Sequence, residues 1–138
     1  MTEHFESRAV EPEKDWLLAA YVAVVNGSSI EMGVTLSVGG TTISGMMISG
    51  QTYTRLLIES LRAAGSSGAE TIANALEEPL TAFYGNRVEQ DSEQVANIGF
   101  IHLKNVKILG GNNQFIEFNN CLWRGRLSTV DGFILGNL

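Results

Sequence analysis

The sequence predicts an α+β fold: an N-terminal helix, then a small, strongly bent antiparallel sheet with a two-helix insertion after its first hairpin. Three observations predict it. Residues 30–38 alternate apolar with small or polar side chains and run into Gly39-Gly40. Residues 51–84 switch to helical spacing. Residues 100–135 return to strand-like segments separated by Gly- and Asn-rich turns. Strands split by helices, without a regular alternation of the two, are the mark of the α+β class.

The elements follow in order. Residues 1–10 read as a disordered acidic lead, and 11–138 as a single domain, which 138 residues can fill with a real core. Pro12 suits the first turn of a helix, with Glu11, Glu13 and Asp15 near its positive end. Trp16, Leu17, Ala20, Tyr21 and Val24 then share a face expected to point inward, widened by Leu18, Val22 and Val25. Asn26-Gly27 stops that helix.

In the hairpin, Gly39-Gly40 supplies the positive φ values of a two-residue turn. Pairing 38 with 41 sets Leu36 opposite Ile43 and Met32 opposite Met47, so the apolar sides of both strands agree. Gly45, opposite Val34, marks a sharp bend in the second strand.

Residues 51–64 form an amphipathic helix with Tyr53, Leu56, Leu57, Leu61 and Ala64 on one face. Gly65-Ser-Ser-Gly68 is a joint. Ser67 and Glu70 have capping-box spacing for a third helix, with Ile72, Ala75, Leu76, Leu80 and Phe83 inward and a kink or split at Pro79. Residues 86–97 read as a polar, mobile loop. Residues 100–109 carry apolar side chains in both phases with a break at Lys104-Asn105, as a bulge or two-sided burial would produce. Gly110-Gly-Asn-Asn113 is a turn, 115–118 a short strand, and 123–127 and 130–135 two more with a bend between them.

Composition narrows the function. The longest apolar run, 16–25, is too short to cross a bilayer. The N-terminus has no secretory pattern, and a lone Cys121 fits a reducing cytosol. The net charge of −6 is unevenly spread. Residues 1–97 hold five basic and thirteen acidic side chains; 98–138 hold Lys104, Lys107, Arg124 and Arg126 against Glu117 and Asp131. Acidic and basic faces of different copies could therefore meet, which makes these four cations the candidate protein-contact residues and a homo-oligomer the expected state.

Candidate chemistry is sparse. His102 has no neighbouring nucleophile or orienting carboxylate in sequence and reads as a surface or interface residue. Asp131, before Gly132, reads as a turn carboxylate. Two His and one Cys lie without ligand spacing, and none of the glycine pairs has a phosphate-loop pattern, so no metal and no cofactor is expected. Trp123-Arg-Gly-Arg126 mixes aromatic and basic groups, but four cations on an acidic protein are a poor stripe for nucleic acid. Trp123 is expected inward, with Arg124 and Arg126 on the opposite face.

Two resemblances add to this reading. The segment Val34-Thr-Leu-Ser-Val-Gly-Gly-Thr-Thr-Ile-Ser-Gly45 resembles the opening hairpin of Sm-like small barrels, which begin with a helix and close with five bent antiparallel strands. That likeness implies a barrel interrupted by 51–84, with an RNA-binding module as the alternative function. More specifically, Phe100-Ile-His-Leu-Lys-Asn-Val-Lys107 followed by Trp123-Arg-Gly-Arg-Leu-Ser-Thr-Val-Asp-Gly-Phe-Ile-Leu-Gly136 resembles the gas vesicle accessory protein family GvpU. Ile43-Ser-Gly-Met-Met-Ile-Ser49 is similar to that family's first half. This resemblance implies a cytoplasmic, non-catalytic protein associated with gas vesicles and acting on their assembly or clustering. It also implies gas vesicle proteins as partners, no membrane insertion, and no catalytic residue to transfer.

Overall fold

The β1–β2 hairpin (Met32–Val38 and Thr41–Ile48) forms in the expected register, with Leu36 opposite Ile43, Val34 opposite Gly45 and Met32 opposite Met47. Gly39 and Gly40 take φ of 56° and 84°, values that a side chain would make costly. The structure is a computed structural model that describes residues 13–84 and 98–138. The acidic lead, the helix start at Pro12 and the 86–97 loop lie outside the described residues. Around the hairpin stand α1 (Trp16–Asn26), α2 (Gly50–Ala63), α3 (Ser67–Tyr84), β3 (Phe100–Leu109), β4 (Phe115–Arg126), a 3-10 turn (Leu127–Thr129) and β5 (Val130–Leu135). The sheet is antiparallel, with order β4-β3-β2-β1-β5. β4 and β5 are its two ends, so the sheet is open and barrel closure is not seen among the described residues.

The bend runs through three strands. Register slips between Ser44 and Met46 where β2 meets β3, and between Lys104 and Val106 where β3 meets β4. Asn105 and Asn120 take positive φ (53° and 58°), which asparagine tolerates better than most residues. A Cβ at Gly45 would lie 2.9 Å from the Lys104 carbonyl oxygen, so the backbones approach there as only glycine allows. The extra residue explains the two-phase apolar pattern of β3. Ile101 and Leu103, then Val106, face the core, while Lys107 returns to the side of His102 and Lys104. The two strands expected at 115–118 and 123–127 are one, because Asn120 is accommodated as a bulge rather than a break.

The core lies between α1 and the inner face of the curled sheet. Leu18, Val22 and Val25 pack with Val34, Leu36, Met47, Ile101, Leu103 and Leu127, each worth about 1.5–3 kcal/mol of burial. Asp15 caps α1 by accepting from the amides of Leu17 (2.8 Å) and Leu18 (3.3 Å), so this helix starts after Asp15. Its inward face is only part of the expected one: Leu18, Val22 and Val25, which widened it, are its centre. Leu18, Ala19, Val22, Ala23 and Val25 are buried, while Trp16, Leu17 and Val24 are 65%, 48% and 50% exposed. The helix is apolar on every side, so spacing alone could not choose.

The outer face of the sheet has two covers. One is the α2–α3 hairpin, which sits over Ile48 and His102. The other is the end of the chain. The Gly136 amide donates to Gly33 (2.8 Å), the Thr35 hydroxyl to the Gly136 carbonyl (2.8 Å), and the Leu138 amide to Ser44 Oγ (2.7 Å). Trp123 is half-buried against the core, as expected, and its ring lies over Gly125.

The helical hairpin departs further from expectation. Ser66, not Ser67, caps α3 through the Ala69 amide (3.1 Å), and the helix continues through Pro79. Of its expected inward residues, Leu76 and Leu80 are half-buried, while Ile72, Ala75 and Phe83 are exposed; only Ala73 is fully buried. Gly45→Val should lower unfolding stability by about 1–3 kcal/mol through forced separation of β2 from β3, measured by urea denaturation. Gly132→Val, where an added Cβ meets nothing within 4 Å, should leave it within about 0.5 kcal/mol.

Candidate functional site

The register puts all four predicted contact residues on the outer face of the β3–β4 ribbon. Phe100 pairs with Arg126, His102 with Arg124, Lys104 with Leu122 and Lys107 with Glu117, and directly opposed residues share a face. They are not equivalent there. Lys104 is held by Glu31 at 2.8 Å and Lys107 by Glu117 at 3.3 Å. Arg124 lies 3.7 Å from the centre of the Phe100 ring and donates to the Tyr84 hydroxyl through Nε (3.4 Å) and Nη2 (3.3 Å). Arg126 is exposed and its guanidinium has no ion pair among the described residues.

Beside them lies a buried polar cluster that sequence reading missed. His102, expected at a surface or interface, is 1% exposed. Its Nε2 is 3.1 Å from the Tyr84 hydroxyl. The rings of Tyr53 and Tyr84 stand 4.6 Å and 5.1 Å from the imidazole. The α2–α3 insertion supplies both tyrosines, so no local signal around position 102 foretold its burial. Tyr84 is seated by Gly50, where a Cβ would come within 2.2 Å of its ring. The Gly50 amide in turn donates to Asn26 Oδ1 (3.1 Å), tying α1, α2 and α3 at one point.

The Tyr84 hydroxyl accepts from Arg124, so its own proton is directed to His102 Nε2. The imidazole is therefore neutral, with its proton on Nδ1, which has no hydrogen-bond partner among the described residues. Burial, and secondarily the Arg124 charge, pushes the His102 pKa down to about 3. Burial likewise raises the Tyr53 phenol.

The arrangement is a latch that ties the helical hairpin to the sheet. Asp131, which could have completed an acid–base set, is elsewhere: it caps the hairpin turn by accepting from the Gly39 amide at 3.0 Å, as expected of a turn carboxylate. Among the described residues no group of three His, Cys, Asp or Glu side chains is placed to hold a metal, and Cys121 is a free, half-buried thiol. No described helix is long and apolar enough to cross a membrane.

An open antiparallel sheet with a helix on its inner face and a latched helical hairpin on its outer face places the protein among small α+β folds. Its family is specific. A model described as "Gas vesicle protein GvpU-like" matches residues 15–138, and the chain belongs to that family of gas vesicle proteins. No curated protein and no solved structure matches it.

Two outcomes test the latch. Tyr84→Phe leaves His102 Nε2 without its partner and should cost about 1–3 kcal/mol, read from urea midpoints at pH 7. The His102 pKa is lower in the folded chain than the ordinary 6.5. The unfolded state therefore binds the extra proton first, and stability falls as pH drops from about 6.5 toward 3. Between pH 7 and pH 5 the loss from this residue should be about 2 kcal/mol, and His102→Gln should flatten that part of the profile.

Proposed function

We propose that the protein acts on gas vesicles by binding rather than by chemistry, assisting their assembly or controlling their clustering in the cytoplasm through protein–protein contacts and self-association. The family match over residues 15–138 carries this reading. The charge distribution supports it: an acidic surface with Lys104, Lys107, Arg124 and Arg126 gathered on one ribbon face can pair between copies. Arg126 is the most available of the four, since the two lysines must first exchange Glu31 and Glu117 for an outside partner.

An RNA-binding module is the competing reading. It would need the same four cations as a phosphate stripe, and two of them are already paired within the chain.

One experiment covers the proposal. Purified protein added to isolated gas vesicles should cosediment with them and change their clustering by electron microscopy. Raising salt to about 0.5 M, where charge screening is strong, should weaken the effect, and Arg126→Glu should reproduce that weakening at low salt. Protein that neither binds vesicles nor self-associates, yet shifts single-stranded RNA in a gel at moderate salt, would overturn it.

A further inference from the structure

β4 is an end strand of the sheet, with β3 on one side and no strand on the other among the described residues. Such an edge presents unpaired amide and carbonyl groups, a template for another strand. β4 runs for 12 residues, against 6 for the opposite end strand β5. It carries no lysine or proline, the residues that most often guard an edge. Apolar side chains stand open on it: Ile116 is 52% and Phe118 40% exposed.

The partners on β3 sort the side chains of β4 by face. Ile116, Phe118, Trp123 and Gly125 stand opposite Ile108, Val106, Leu103 and Ile101, on the core side. Phe115, Glu117, Arg124 and Arg126 stand opposite Leu109, Lys107, His102 and Phe100, on the outer side. The alternation changes phase between Phe118 and Leu122, where Asn120 is bulged. In an unbulged strand of even length, residues equidistant from the middle lie on opposite faces. Here they share a face: Phe115 with Arg126, Ile116 with Gly125, Glu117 with Arg124, and Phe118 with Trp123.

We infer that two copies pair antiparallel along β4, about a two-fold axis at its midpoint, and so join two five-stranded sheets into one. The occupant of the edge is a second copy because the strand is complementary to itself. In this register each Glu117 meets the partner's Arg124, and no like charges are opposed. Each Ile116 and Phe118 lies beside the partner's Gly125 and Trp123, which covers the exposed apolar groups. The bulge sits at the midpoint, so a straight strand can follow only one arm of β4. A second copy brings its own bulge to the same place. The charged groups are available. Glu117 is exposed and holds Lys107 at 3.3 Å, with room at its carboxylate for a second cation. Arg124 engages Tyr84 through Nε and Nη2, which leaves Nη1 for the partner. The contact is isologous and uses up the edge, so association closes at a dimer.

The inference deepens the self-association reading above and rests on it. By analytical ultracentrifugation the wild type should pass from monomer to dimer with rising concentration and stop there. Glu117→Arg should weaken the dimer at least about 10-fold, because two attractive pairs become two repulsive ones. Arg124→Glu should do the same. An equimolar mixture of the two should dimerise like the wild type, since each substituted charge then meets its opposite. If Arg124→Glu loses its circular dichroism, Ile116→Glu and Ile134→Glu serve instead. Both positions are exposed and the charge changes equally, but only the first lies on β4, so only it should weaken the dimer.

Glu117→Arg that dimerises like the wild type, a mixture no tighter than its parts, or two isoleucine variants that behave alike would overturn the β4 pairing. Wild type that still assembles in those cases keeps the self-association reading without this contact. A wild type monomeric at every concentration would remove both, and binding to gas vesicles would then stand or fall on cosedimentation.

Discussion

The backbone contact between Gly45 and the Lys104 carbonyl is the constraint on which the rest of the molecule depends. A sheet of five strands laid flat would bury one face against α1 and leave its ends far apart. The closeness of β2 to β3 at Gly45, with Asn105 and Asn120 absorbing the displaced register, bends the sheet around α1 instead. The same slip decides which side chains are inside. Without the extra residue at 105, Lys107 would follow Leu103 into the core and Val106 would face outward. One local irregularity thus fixes both the closure of the apolar core and the gathering of four cations on the outer ribbon.

The two sides of the sheet are stabilised by different physics. The inner side is a contiguous apolar cluster, largely insensitive to pH. The outer side depends on a polar latch, with His102, Arg124 and Gly50 each against Tyr84, and on hydroxyl and amide bonds at Thr35 and Ser44. Buried polar groups in such a network are costly to leave unmatched. With only Gly50, Thr54, Ile58 and Ala73 fully buried, the helical hairpin has little apolar anchorage of its own. It is the region where local opening should cost least.

Much of the sheet was legible in the sequence, and the reasons differ by residue. Leu36, Ile43, Met32 and Met47 revealed their register because a period of two leaves one consistent pairing once Gly39-Gly40 fixes the turn. The break at Lys104-Asn105 announced the bulge, and Trp123 its inward direction. The α1 face was not legible, since a helix without a polar side has no periodic signal to orient it. His102 was misread because the residues that bury it, Tyr53 and Tyr84, come from an insertion whose docking has no local trace. Among the cations, the shared face of Arg124 and Arg126 followed from alternation, whereas Lys107 joins Lys104 only through the bulge at Asn105. The internal partners of the cations were not legible: Glu31 and Lys104 are brought together by the fold, across more than half the chain.

The tie between Gly136 and Thr35 has a kinetic consequence. It joins residues 101 apart in sequence, and β5 gives β1 its second neighbour across a similar span. A sheet completed by its most distant strands has high contact order, and such topologies fold slowly because loop closure must precede most of the stabilising contacts. Until residues near 130 arrive, β1 remains an unpaired edge rich in valine and leucine, open to pairing with a neighbouring nascent chain. The final strand therefore governs how long the growing protein is exposed to misassembly, and truncations there should be seen first as aggregation.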